Sequence, residues 1–328
     1  MKRRFEELVL LLICAALLAV QLLIPPFIGI ANNGDFPKVA GRLSLGPRVE
    51  GQNFLYFVPD YVRAERYHWE SEVLSSDLAP AWLAVQIHDL FRSGNGFDIR
   101  WLGAVDCALF LAAFYGLLVV LRPESSLVRW VVAGAALLIF TDVCYSAYLN
   151  SFYSDAAGLL GLLLAVVAAV RLATLEPPRS YLVLLFGLAA LFWITSKSQH
   201  GMWGFLPAAF LFFLSRRWPA RRARLLAQSV VAVLLMATVA VVAITPKNYK
   251  TQPLFNLIFF DLAMRSAAPL ADLRELGLGP GDLRLIGLNA FSPGSPGDDP
   301  QFLAEFQQRT SYGRLARFYL AHPGRALD

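Results

Sequence analysis

Charge is scarce in this chain. Charged residues make up 16% of 328 positions against 57% hydrophobic, and the mean hydropathy is +0.52. A soluble domain of this length has no interior that could take up so much apolar surface. The composition therefore excludes one and points to a polytopic membrane protein. Cysteine is scarcer still. The three residues Cys14, Cys107 and Cys144 lie in or beside apolar segments with no paired spacing, which excludes a disulfide framework or a cysteine-ligated zinc and leaves them packing roles. Gly-x-Gly-x-x-Gly, a Walker loop, His-Glu-x-x-His and Gly-x-Ser-x-Gly are all missing, as is any internal repeat. Nucleotide-driven chemistry has no footing in this sequence. A group-transfer donor would have to be lipid-linked.

What is present is a set of long apolar runs punctuated by arginine. Seven spans can be drawn, at about 8–30, 99–121, 130–149, 156–175, 181–195, 201–214 and 225–244. The net charge of +5 sits in short clusters between them, not along one face, so it reads as topology and not as a nucleic-acid surface. Lys2-Arg3-Arg4, Arg122 with Arg129, Arg171 with Arg179, and the group from Arg216 to Arg224 fall at alternate ends of the spans. All four can face the cytoplasm together. That leaves the first loop (31–98), the turn 150–155, the turn 196–200 and everything after Ile244 outside. The expected organisation is a transmembrane core over 1–244 and an exterior segment over 245–328. Met1 to Ile24 is read as an uncleaved helix and not a signal peptide, because its apolar run is long and Pro25-Pro26 stands where a small-residue cleavage site would be.

The outer stretches carry their own helices. Asp77 is placed to cap a helix reaching about Phe91, with Leu83, Ile87, Leu90 and Phe91 on one face and Trp82 beside it, suited to a membrane surface. Beyond Ile244, Leu254 to Met264 is apolar, and a short helix over Leu270 to Leu276 is ended by Gly277. A helix opened by Asp299 and Pro300 then carries Phe302, Phe306, Leu315, Phe318 and Tyr319 on its apolar side.

The polar residues that could carry chemistry gather in the outer turns. Asn32-Asn33-Gly34-Asp35-Phe36 follows the first span, and its carboxylate lies where a headgroup and an exterior substrate meet. Asp35 reads either as a general base toward a hydroxyl or as the cap of the next helix. In Asn150-Ser151-Phe152-Tyr153-Ser154-Asp155, the first residues offer partners for sugar hydroxyls, while Asp155 is a second acid or an N-cap. Asp142, within about two turns of the outer end of its span, needs a wet cavity or a cation such as Lys197. The tip Lys197-Ser198-Gln199-His200 joins two short segments. Lys197 there either meets an anion or snorkels to headgroups, and Lys197, Gln199 and His200 together would suit a phosphate. Lys247, Tyr249 and Lys250 repeat that chemistry more weakly, on a stretch facing headgroups.

The first span delivering Asn32 to Phe36, then Tyr148 to Tyr153, then Ser196 to Gln199, then Asn256 to Asp261, resembles bacterial glycan-biosynthesis hexose transferases of the WsfD type, in the GT-C superfamily of multispanning glycosyltransferases. The resemblance covers roughly Leu8 to His322. Together with the apolar runs it gives the expected fold, an all-α polytopic membrane protein with about seven transmembrane helices, read from the runs, and GT-C-like outer loops carrying interfacial helices, implied by the resemblance. It implies a polyprenyl-phosphate-linked sugar donor, a glycan or lipid acceptor, and a site facing out from a bacterial cytoplasmic membrane with the N-terminus inside. Asp35 matches the family's first-loop acid, with Asn33 beside it. Lys197 and Gln199 match a tip facing the carrier phosphate. Asp155 stands where the family has glutamate, and the chain has fewer spans than usual, as a fragment or a minimal member would. Two other classes remain open: a transporter or flippase of a lipid-linked sugar, and a non-catalytic subunit of polysaccharide assembly. A divalent metal among Asp35, Asp142 and Asp155 is not established by three carboxylates on separate segments. No nucleic-acid partner is expected.

Overall fold

The computed structural model describes residues 2–30, 37–49, 56–69, 75–175 and 179–326. They divide into two compact units, Met1–Ile244 and Thr245–Asp328. In the first unit the helices are α1 (Lys2–Leu22), α2 (Leu78–Phe91), α3 (Arg100–Val120), α4 (Ser126–Phe140), α5 (Val143–Asn150, its second half 3-10), α6 (Asp155–Thr174), α7 (Ser180–Ile194), α8 (Phe205–Ser215) and α9 (Arg221–Ile244).

Helices α1, α3, α6 and α9 are long and apolar enough to cross a membrane, and the bent pair α4–α5 makes a fifth if counted as one span. Helices α7 and α8 have 15 and 11 residues. They reach about 22 and 16 Å of a ~30 Å hydrocarbon core. By length and composition, four or five helices among the described residues therefore qualify as spans, and α7 and α8 fall short. The first helix stops at Leu22 and not near Ile30, since Pro25 and Pro26 have no N–H with which to extend the ladder. The third expected span is broken by a 60° bend. Asp142 causes the restart: its carboxylate accepts the Cys144 N–H at 2.8 Å and opens α5, so it serves as a cap and does not pair with Lys197.

Close contacts fix how the helices run. Arg100, at the start of α3, donates to Leu23 O just beyond α1, while Arg122 past the end of α3 reaches back to Glu7 of α1. Gly158 and Gly161 of α6 lie against His200 and Trp193, so α6 starts where α7 ends. Gly187 of α7 packs on Val230 and Gly201 on Val241, so α9 starts where α7 starts. By these directions Arg122, Arg129 and the Arg216–Arg224 elbow gather at the N-terminal end of α1, and Arg100, Asp155 and Lys197 at the opposite end. The alternation of basic clusters along the sequence is thus an arrangement of two ends in space.

The first loop adds strands that the all-α expectation omitted. β1 (Leu45–Pro47), β2 (Asp60–Arg63) and β3 (Gly96–Asp98) form an antiparallel sheet in that order, with Leu45 opposite Arg63 and Asp60 opposite Asp98. Three or four residues are too few to show an alternating pattern. Tyr61 and Phe97 turn from the sheet onto Phe152, with the Tyr61 and Phe152 rings edge-on at 4.9 Å. Helix α2 forms as expected and leaves Trp82, Leu83, Leu90 and Phe91 exposed, a surface suited to lipid, while Ala81, Ala84, Val85 and His88 pack inward.

In the second unit, α10 (Lys247–Phe255) continues through a π-helical stretch, Asn256–Leu262, and is followed by α11 (Pro269–Glu275), α12 (Pro300–Arg309) and α13 (Tyr312–Ala321). Phe255, Phe259, Phe306 and Phe318 form its core. The helix expected from Pro300 onward is two helices, because Ser311 caps a fresh start by accepting from Arg314 N–H.

Candidate functional site

The Lys197 end of the first unit collects most of its unexplained polarity. Helix α7 ends at Ile194, and its last carbonyls need donors. The segment before α2 supplies them: Ser76 Oγ donates to Phe192 O at 2.6 Å, Ser76 N–H to Thr195 O at 3.1 Å, and Ser75 Oγ to Ser196 O at 2.7 Å. That stitching carries Asp77 into the protein, where it is 1% exposed. Neither of its carboxylate oxygens has a well-formed hydrogen bond, so it does not act as the cap of α2 that its position suggested.

Burial pushes the Asp77 carboxyl up well above its ordinary 3.8; the Ala157 N–H, near but poorly aligned, and the more distant Lys197 charge draw it back in part, while the Asp155 charge adds to the rise. Asp106 lies within electrostatic reach of it from α3, 0% exposed, with both oxygens likewise unpaired. Both carboxyls are thus out of water without a hydrogen-bond partner among the described residues. Asp106 is a site residue that its place in the sequence did not bring forward. The signal was there, since it is the only charged residue between Arg100 and Arg122, and an ionisable group inside an apolar run marks function by default.

Beside this pair sits an ion pair. Lys197 Nζ donates to Asp155 Oδ2 at 2.6 Å, with both side chains partly exposed. Asp155 heads α6 but makes no capping bond there; its carboxylate holds the lysine. Lys197 has three donors, so two remain for a ligand. Tyr148 is half-buried within electrostatic reach of Asp155.

His200 lies on the same turn. Ser196 Oγ donates to Trp193 O at 2.7 Å and stands 2.8 Å from His200 Nδ1. If the hydroxyl proton goes to Trp193 O, Nδ1 is the donor in this contact and Nε2 is left as an acceptor. Burial and then the Lys197 charge lower the His200 pKa below its ordinary 6.5, against the pull of Asp155 and the Trp193 carbonyl. The ring therefore takes up a second proton less readily than an ordinary histidine, which weakens it as a charged contact for phosphate.

The other expected residues divide. Asp35 and Asn33 lie outside the described residues. Gln199 is exposed at the tip and, among the described residues, accepts from Ser198 Oγ alone. Asn150 and Tyr153 are 0% and 1% exposed, inaccessible to a sugar. The Asn150 amide instead donates to Leu22 O and Ile28 O, both at 2.8 Å, tying the end of α1 in place. Tyr153 packs in the core with Tyr61 and Phe97. The accessible tyrosine of that turn is Tyr148. No group of three or more His, Cys, Asp or Glu among the described residues is arranged to hold a metal.

A helical membrane unit with a cation and several acids at one end is what the comparisons met. The family model of the YfdI N-terminal transmembrane domain matches residues 1–328. The chain belongs to that family. No curated protein and no solved structure matches it. Membership and the apolar helices together make this YfdI-family domain a multi-pass membrane protein.

Proposed function

We propose that this YfdI-family domain is a membrane glycosyltransferase of GT-C type, moving a hexose from a polyprenyl-phosphate carrier to an envelope glycan or lipid acceptor on the exterior face. The observation that carries the proposal is the Lys197–Asp155 pair, a lysine held at 2.6 Å with donors to spare, in a protein with no nucleotide motif. In a single displacement the acceptor hydroxyl attacks the anomeric carbon, its proton passes to a carboxylate, and the bond to the carrier oxygen breaks with inversion. Lys197 meets the phosphate as its charge grows, and Asp155 positions Lys197. Asp35 is the proposed base.

The test is transfer of labelled sugar from lipid carrier to acceptor in membranes holding folded variants. Asp35→Asn should lose about 10²–10⁴-fold, the usual worth of a general base. Lys197→Met should fall as far as loss of a charge-assisted contact demands, and Lys197→Arg should recover part. Full turnover in Asp35→Asn removes that residue as base, and full turnover in Lys197→Met removes the phosphate contact.

One observation favours a second reading, proton-coupled movement of a lipid-linked sugar: Asp77 and Asp106 are buried carboxyls with no hydrogen-bond partner among the described residues. Proton uptake in proteoliposomes that Asp106→Asn abolishes, without any sugar transfer by the parent protein, would support transport over transfer.

A further inference from the structure

At the other end of the same unit, α8 and α9 meet in an elbow that no step above uses. Trp218, 5% exposed, is buried in the elbow. The elbow also holds a cavity of about 440 Å³ lined by Phe212, Ser215, Arg216, Arg221, Arg224 and Gln228, with Leu225 at its side. Among the described residues no carboxylate lines it. Among the described residues, none of the three arginines has a carboxylate within ion-pair distance. The Ser215 hydroxyl is spent on Phe212 O at 2.8 Å, and Arg216 lies over the Phe212 ring at 5.7 Å, a contact that holds its guanidinium at the cavity. Three like charges share one hollow, and an anion there would relieve their repulsion.

The surroundings select the kind of anion. Leu225, Val233 and Met236 on α9 and Phe213 on α8 are exposed apolar side chains leading away from the arginines along the helices. A free anion would have no use for that track, whereas the chains of a lipid would lie on it. A guanidinium presents paired donors that match phosphate oxygens. We infer that this elbow binds the phosphate headgroup of an anionic membrane lipid. The site rests on its own residues and stands whether or not the protein transfers sugar.

Native mass spectrometry of the full chain, released from membranes of equal phosphatidylglycerol and phosphatidylcholine, reads the bound lipid directly. The parent should retain phosphatidylglycerol in preference. Arg216→Gln with Arg224→Gln should reduce retention about tenfold, each charge-assisted contact being worth a few-fold or more. The double variant Arg217→Gln with Arg222→Gln removes the same charge from the same exposed segment outside the cavity, and should reduce it less than about twofold, as expected for exposed charges. The triple Arg→Lys variant at 216, 221 and 224 keeps the charge that sets topology and folding, and should still lose retention several-fold because it lacks the fork. Equal retention of both lipids, equal loss in the two double variants, or displacement of the lipid by inorganic phosphate would each overturn the inference, the last by assigning the cavity to a free anion.

Discussion

Asp77 owes its environment to its neighbours, because Ser75 and Ser76 spend their hydroxyls on the carbonyls at the end of α7 and draw the carboxyl inward with them. A carboxyl whose pKa is raised by burial binds its proton more tightly folded than unfolded. The stability it contributes is present below the unfolded value near 3.8 and is lost as pH rises through the raised folded value. Asp77→Asn removes that dependence. The variant should therefore melt at about the parent temperature in acid and higher than the parent at alkaline pH, as thermal unfolding in detergent across a pH series would show; equal melting temperatures throughout would mean that Asp77 is not buried as a lone acid. Residue identity in the sequence hinted at this cluster only in part. Lys197, Asp155 and His200 were legible from their turns, but Asp77 looked like a helix cap and Asp106 drew no notice, because the hydrogen bonds that bury one and the helix that faces it with the other join segments far apart in the chain. Asn150 misled in the opposite sense: a polar residue in an outer turn was spent on the backbone carbonyls of Leu22, the last residue of α1, and Ile28 beyond it.

At the scale of elements, the site depends on how near α7 comes to α6. A side-chain carbon at Gly161 would stand 2.7 Å from Trp193 N and 2.9 Å from its Cα, and backbone cannot give way as a flexible side chain can. At Gly134 of α4 such a carbon meets nothing within 4 Å. The two glycines therefore predict opposite signs. Gly161→Ala should destabilise by about 1–3 kcal/mol through overpacking, and should also lower any lipid-phosphate binding at Lys197 because it pushes the tip away from Asp155. Gly134→Ala should stabilise by roughly 0.5–1 kcal/mol through helix propensity alone. Chemical denaturation of both variants checks the pair, and a neutral Gly161→Ala would show that the helices separate freely. The apolar runs of α6 and α7 could be read from the sequence, as could the shortness of α7 and α8. The bend at Asp142 and the three short strands could not, since each depends on a local capping bond or on pairing between distant segments.

For the molecule as a whole, the basic end is braced. Glu6 is held by Arg129 and Ser126, with the Glu6 and Arg129 side chains 8% and 5% exposed, whereas Arg122, which pairs with Glu7, is 43% exposed. Breaking the first pair strands a buried charge, so Glu6→Gln should cost about 3–5 kcal/mol. In the second pair Glu7 is as buried, at 7%, so the substitution that strands only the exposed partner is Glu7→Gln, which is expected to cost no more than about 1 kcal/mol. The same brace ties the N-terminus of α1 to the cluster after α3, and helix directions bring the α8–α9 elbow to that end. If charge sets orientation, this whole end is cytoplasmic and the Lys197 tip is exterior. Single substitutions at two exposed positions decide the matter: Gln199→Cys at the tip and Arg217→Cys at the elbow, each in a background carrying Cys144→Ser, because Cys144 is exposed while Cys14 and Cys107 are buried. A membrane-impermeant maleimide added to intact cells should label Gln199→Cys, and should label Arg217→Cys only after permeabilisation. The reverse pattern would place the Lys197–Asp155 pair on the cytoplasmic face, out of reach of an exterior acceptor, and would remove the glycosyltransferase proposal in its present form. Labelling of both positions in intact cells would mean that the two ends do not lie on opposite sides of the bilayer.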